Sequence, residues 1–201
     1  VLVAPSEAGP NVGWAFSERE RTSTRSALRY ARRRFNVDEN RIYCTGISRG
    51  GHLTWDLSLR FPDRFAAIAP MIGGPRLKRV QGQNNLRFAE NIVHLPIRDL
   101  QGAKDDPYLI ANLRLLFARL KKLKAADAEL IEFADLGHSY RMDAVDWVAF
   151  FGKHRRQPIP DRVVRMTAQL RETRAFYVDV LAVDTRKVQE IPRIVATPKF
   201  A

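Results

Sequence analysis

The stretch Arg41-Ile42-Tyr43-Cys44-Thr45-Gly46-Ile47-Ser48-Arg49-Gly50-Gly51-His52 decides how the rest of the chain is read. Its first half is apolar and β-prone, its middle is a G-x-S-x-G turn, and the residues after it, with Leu53, Trp55, Leu57 and Leu59, read as a helix over 52–60 that Phe61-Pro62 stops. A strand that breaks through such a turn into a helix is a nucleophile elbow. The turn forces the serine into a strained backbone conformation, and the spacing predicts that any side chain at Gly46 or Gly50 would clash. Ser48 Oγ is then held out beyond the end of the strand, with the first N–H groups of the new helix facing the place where negative charge would form. The three-residue pattern recurs by chance, so the strand before it and the helix after it carry the inference.

Outward from this point, strand-like and helical segments alternate. Residues 1–4 read as a strand, 17–35 as a helix, 41–45 as the strand before the elbow, 65–70 as a third strand and 92–96 as a fourth. A long amphipathic helix follows over 107–124, then a fifth strand over 129–133 and a final helix over 139–151. This rhythm predicts a parallel α/β sheet with right-handed crossovers and helices on both faces. Residues 73–91 break it. They hold Gly73-Gly74-Pro75, Gly82 and Asn84-Asn85 together with Arg76, Lys78, Arg79 and Arg87, and read as a loop on the substrate side or as a plain surface excursion. Beyond Gln157-Pro158-Ile159-Pro160 the composition changes, and 163–169, 175–184 and 193–199 read as three short strands. That divides the chain into a main domain over 1–157 and a small β appendage over 158–201.

A serine hydroxyl is a poor nucleophile at neutral pH and needs a base, which in turn needs a partner that fixes its tautomer. His138, in Asp135-Leu136-Gly137-His138-Ser139-Tyr140 directly after the fifth strand, is the best placed of four histidines. His52 belongs to the elbow helix, His94 falls in a predicted strand, and His154 lies in a basic run. The acid is expected after the strand between nucleophile and base, in Gln101-Gly102-Ala103-Lys104-Asp105-Asp106. Asp105 is preferred because Asp106 suits the N-cap of the next helix with Pro107 at its first position. Asp99 and Asp135 are more distant alternatives. Ser48, Asp105 and His138 occur in the chain order expected of a hydrolase elbow, and the Arg49 backbone N–H is the expected oxyanion donor.

On these residues the segment 1–152 resembles the C-terminal two-thirds of an α/β-hydrolase, nearest the polyhydroxybutyrate-depolymerase, feruloyl-esterase and dienelactone-hydrolase-like group. The elbow from Gly46 to His52, followed by Phe61-Pro62-Asp63-Arg64-Phe65, is similar to a stretch that such esterases share with prolyl-oligopeptidase-like peptidases. Gly102 to Asp106 resembles their acid loop and Gly137-His138 their histidine loop. The resemblance implies a serine esterase working through an acyl-enzyme. It also implies a second oxyanion donor from a loop after the family's third strand, a region expected to lie largely before this sequence. Three departures stand out: the family's first strands with their oxyanion loop, the β tail over 158–201, which is not part of the core fold, and the first residue of the acid loop. Gln101 occupies the position where the acid loop usually has histidine, which reads as a packing variation. Dienelactone hydrolases proper use cysteine where Ser48 stands, which argues against that activity.

Two other readings remain open on the sequence: a peptidase of the prolyl-oligopeptidase type with the same triad, and a non-catalytic binding module on a hydrolase scaffold. Composition bounds the rest. The 201 residues are 45% hydrophobic and 28% charged with a net charge of +12, and no apolar run is long enough to span a membrane. The basic clusters Arg32-Arg33-Arg34 and Lys121-Lys122-Leu123-Lys124 sit near predicted helix C-termini, where cations complement the dipole. Nothing resembles a nucleic-acid motif. No H-E-x-x-H, Cys/His cluster or P-loop points to a metal or organic cofactor, so the expected partner is a small or polymeric ester. The single cysteine, Cys44, reads as a buried apolar residue, and no compartment is fixed.

Overall fold

The computed structural model describes residues 1–5, 16–76, 85–167, 172, 174–181 and 193–196. Four strands, β1 (Tyr43–Ile47), β2 (Ala67–Met71), β3 (Ile97–Gly102) and β4 (Ala128–Phe133), form one parallel sheet in the order β1-β2-β3-β4. Four helices accompany them: α1 (Glu18–Arg34), α2 (Arg49–Arg60), α3 (Pro107–Lys122) and α4 (Trp147–Lys153). This is the α/β-hydrolase architecture. One face of the sheet packs through Ile68 and Ile97 against Trp55 and Leu59 of α2 and Leu113, Leu116 and Leu120 of α3. The other face packs through Ala69, Met71, Leu100 and Phe133 against Trp147 and Phe151 of α4. β2 is buried along its whole length, as a central parallel strand covered on both faces should be.

Local chemistry sets the helix ends. Ser17 and Glu20 form a capping box at α1, and Arg32, Arg33 and Arg34 lie in its last turn. Asp106 caps α3 by accepting from the N–H groups of Tyr108 and Leu109, with Pro107 at the first position. The basic residues Lys121 and Lys122 close that helix.

Several expected elements differ. Residues 1–5 have no regular structure, and Val1 and Leu2 are almost wholly exposed, because their apolar side chains meet no facing layer. The segment 92–96 is not a strand: Leu86–Ile92 winds as a 3₁₀ helix, and β3 begins only at Ile97. Pro96 lacks a donor but its carbonyl accepts from Ile68 N–H at 3.0 Å. The true strand was hidden because it carries Arg98, Asp99 and Gln101. His94 consequently sits in a turn, and Asp99 lies inside β3 rather than in a loop after it. The last helix starts at Trp147 rather than 139, since Asp146 is its N-cap and accepts from Ala149 N–H.

In the C-terminal segment, β5 (Val163–Met166) and β6 (Arg193–Ala196) pair antiparallel. Ala175 and Val178 exchange two hydrogen bonds of 2.9 Å around a tight turn, with Phe176 at φ 55°, so the described part of 175–184 is a turn and not a strand. Residues 182–184 and the ends of the other two expected strands lie outside the described residues, as do Gly82, Asn84 and the cations Lys78 and Arg79.

This segment is bonded to the sheet domain by polar contacts that the sequence did not announce. α2 is buried all round from Thr54 to Arg60, so its polar side needs partners. Asp56 and Arg60 bond at 3.0 Å, Arg21 of α1 reaches Asp56 at 3.0 Å, and Glu172 reaches Arg60 at 2.6 Å. Arg165 of β5 donates to the carbonyls of Arg60 and Glu172. Asn91 also brackets the backbone of Met166, donating to its carbonyl and accepting from its N–H. The i, i+4 spacing of Asp56 and Arg60 was visible in the sequence; their distant partners were not.

Candidate active site

β1 ends in Ser48, whose backbone lies at φ 53° and ψ −110°, a region that non-glycine residues enter only under constraint. The constraint is visible on both sides. Ser48 N–H donates to the Met71 carbonyl at 2.9 Å, and Ser48 carbonyl accepts from His52 N–H at 3.0 Å. A Cβ on Gly46 would stand 2.4 Å from Gly50 backbone, as expected. The second expected clash is displaced by one residue. A Cβ on Gly50 would meet nothing within 4 Å, whereas one on Gly51 would stand 2.6 Å from the Met71 carbonyl oxygen. Gly51 sits where α2 crosses the end of β2, so that is where the backbone must be bare. α2 begins at Arg49, directly after the serine, which puts the Arg49 N–H at the helix N-terminus beside Oγ.

The three residues expected to act together are together. Ser48 Oγ lies 2.9 Å from His138 Nε2, and His138 Nδ1 lies 2.8 Å from Asp105 Oδ2. With the proton on Nδ1, Ser48 donates to Nε2 and Nδ1–H donates to Asp105. Asp105 follows β3, His138 follows β4, and the two loops are pressed against each other: Lys104 N–H donates to the Leu136 carbonyl at 2.8 Å. A Cβ on Gly102 would fall 1.8 Å from the Gly137 carbonyl oxygen, so only glycine permits that approach. Burial alone would raise the Asp105 carboxyl. The His138 ring, the Asp106 N–H and the Gln101 amide together hold it below the usual carboxylate range.

Gln101 is the contributor that sequence reasoning passed over. Read as packing, it is a buried side chain whose Nε2 donates to Asp105 Oδ2 at 2.9 Å. The available signal was a polar residue on the strand face that also holds Ile97. The rejected candidates are accounted for. Asp106 caps α3 and Asp135 pairs with Arg141. His154 lies beside Asp127, at the end of the sheet away from Ser48. His52 Nδ1 meets Gly74 O at 2.7 Å and Gly74 N at 3.0 Å, holding the 73–76 loop near the serine, and one tautomer makes one of these bonds at a time. Of the loop cations, Arg76 stacks over Phe16. Arg87 stacks over the Phe88 ring, which packs in the main core. Cys44 is partly rather than fully buried, packed against the main core, and desolvation pushes its thiol up to about 11, which keeps it unreactive. Among the described residues, no cluster of His, Cys, Asp or Glu could hold a metal ion, and no helix is long and apolar enough to cross a membrane.

Residues 6–157 match the dienelactone hydrolase family. The chain belongs to that family. It is 42% identical over 40 residues to the poly(3-hydroxyalkanoate) depolymerase C of Paucimonas lemoignei, a stretch covering 20% of this chain and 10% of that protein. Its fold is similar to that of a thermostable esterase, with a TM-score of 0.59 at 23% identity over 75% of this chain and 43% of the esterase. It is also similar to a Bacteroides ovatus protein assigned as a dipeptidyl aminopeptidase IV, with a TM-score of 0.56 at 18% identity over 68% of this chain and 22% of that one. The family member described here thus spans less than half the length of each of these relatives.

Proposed function

We propose that this chain carries the nucleophile, base and acid of a serine hydrolase that cleaves an ester. The observation that supports the reading best is the unbroken hydrogen-bond line from Ser48 Oγ through His138 to Asp105. Ser48 Oγ attacks the ester carbonyl carbon while His138 Nε2 takes its proton. The resulting oxyanion is met by the Arg49 N–H at the start of α2. When the carbon–alkoxy bond breaks, His138 returns that proton to the leaving alcohol, and the acyl group stays on Ser48. Water then repeats the sequence: His138 takes its proton, hydroxide oxygen attacks the acyl carbon, and Ser48 recovers a proton as the carboxylic acid departs. Asp105 keeps Nδ1 protonated and stabilises the imidazolium formed at each step.

Family membership and the likeness to a polyester depolymerase favour the ester bond. The likeness to an aminopeptidase fold keeps a peptidase as the second reading. The test is a fluorophosphonate probe on the longest available form of the protein, comparing wild type with Ser48→Ala and His138→Ala, followed by acyl esters against peptide amides. Labelling that requires both residues is expected, with esters turned over faster. Labelling of a folded Ser48→Ala variant would overturn the assignment.

A further inference from the structure

Two polar side chains stand on the buried face of β3 where its neighbours are apolar. Asp99 and Gln101 are each 0% exposed, and with Ile97 they face the side covered by α2 and α3. Asp99 Oδ2 accepts from Trp55 Nε1–H at 2.8 Å, while Asp99 Oδ1 is buried with no partner among the described residues. Gln101 Nε2 donates to Asp105 Oδ2 at 2.9 Å and to the Gly102 carbonyl at 3.1 Å. Both of those atoms are acceptors, so the amide nitrogen must lie on that side and Gln101 Oε1 is left buried with no donor among the described residues. Residues two apart on a strand are about 6.6 Å apart, a gap that an Asp and a Gln side chain close directly or across one water. Two acceptors buried on one strand face are unfavourable unless a donor proton reaches them.

We propose that Asp99 is held as a neutral carboxylic acid that donates its proton to Gln101 Oε1, directly or through one water, and so locks the Gln101 amide nitrogen onto the triad carboxylate. A carboxylic acid kept neutral by an apolar site is able to serve as such a donor. The groups around it agree. From α2 only the Trp55 N–H reaches it, and from β4 the charge of Glu132, itself paired with Arg114 of α3, opposes its ionisation. Towards the triad lies the Asp105 carboxylate. Burial pushes the Asp99 carboxyl well above the ordinary carboxylate range. Asp99 is therefore a positioning residue that acts through Gln101, and its catalytic meaning rests on the serine-hydrolase reading above.

The test compares Asp99→Leu and Asp99→Asn with wild type by two measurements: thermal stability from pH 4 to 8, and fluorophosphonate labelling of Ser48 over the same range. Leu removes the donor. Its labelling is expected to fall about tenfold or more, with the acid limb moving to higher pH, because a carboxylate that loses a donor pulls harder on the imidazolium. Asn supplies a carbonyl for Trp55 and an N–H for Gln101, so it should recover the wild-type limb and most of the rate.

The stability measurement needs no activity. An acid whose carboxyl is raised in the folded state loses stability as pH climbs from about 4, where the unfolded chain releases its proton. Asn at this position does not titrate, so its stability relative to wild type should rise with pH. A flat stability difference, or an Asn variant as poor as Leu, would overturn the proposal. If wild type itself fails to label, the hydrolase reading falls, while the stability profile still decides whether Asp99 is protonated.

Discussion

Gly50 and Gly51 are adjacent in the sequence and both belong to α2, yet their substitution by alanine should have opposite effects. A Cβ on Gly50 meets nothing within 4 Å, and the residue has ordinary helical surroundings. Gly50→Ala therefore removes a flexible residue from a helix, which stabilises by up to about 1 kcal/mol. A Cβ on Gly51 stands 2.6 Å from the Met71 carbonyl oxygen and 3.1 Å from Gly73 backbone. Both are backbone atoms that no rotamer change can move. Overpacking of that kind costs about 1–3 kcal/mol, and here relief requires α2 to lift away from the end of β2. For a chain of this size 1 kcal/mol corresponds to about 2–4 °C in Tm. Gly50→Ala should thus raise Tm by up to about 4 °C, and Gly51→Ala should lower it by about 2–12 °C. Thermal unfolding followed by circular dichroism at neutral pH reads both, with the rate of fluorophosphonate labelling as a companion, since lifting α2 also moves the Arg49 N–H. Equal destabilisation by the two substitutions would refute the reasoning, because it would mean that the familiar glycine of the motif is the one the packing requires.

Other expectations follow from the same geometry. Gln101→Leu takes one donor from Asp105 without changing the strand face, so ester turnover should drop about tenfold with KM nearly unchanged; an unaltered kcat would make Gln101 a packing residue after all. Glu172→Gln leaves Arg60, Arg165 and Arg21 buried with less countercharge, and breaking a buried pair costs about 3–5 kcal/mol. Its urea midpoint should fall sharply, whereas Glu39→Gln at the exposed Arg32 pair should change little; equal effects would contradict the role given to the buried cluster. Burial acts to raise the Asp127 carboxyl, but Lys153 and Arg98 pull it down to about 2. Its stabilisation is complete above the unfolded value of about 3.9 and is lost as pH falls through about 2. Asp127→Asn should consequently cost stability at pH 5, much less at pH 2 and almost nothing near pH 1, and a Tm difference independent of pH would count against that ion cluster.

The architecture was legible where periodicity and turn chemistry agree. The strand, elbow and helix around Ser48 and the Asp106-Pro107 start of α3 are all local patterns. So is the choice of Asp105 over Asp106, since a capping aspartate beside proline is committed to the helix N-terminus. Reading failed where a strand did not look like one. β3 carries Arg98, Asp99 and Gln101, so the apolar run just ahead of it, 92–96, matches a strand pattern better than β3 itself does. Residues 1–4 and 176–181 are apolar enough for strands, yet apolarity alone supplies no neighbour to pair with.

By itself the sequence determined the fold class, the elbow, and which serine, histidine and aspartate could meet, because each of those rests on residues close together in the chain and on the order of the strands. Only the tertiary structure decided what those residues are bonded to. That Gln101 holds Asp105, that Asp99 lies behind it on the same strand face and bonds Trp55, that Gly51 and not Gly50 bears the close contact, and that Glu172 ties the C-terminal segment to α2 all depend on atoms brought together from distant parts of the chain. Such contacts leave no periodic trace: a buried polar side chain and an exposed one are the same letter until packing assigns one of them a partner.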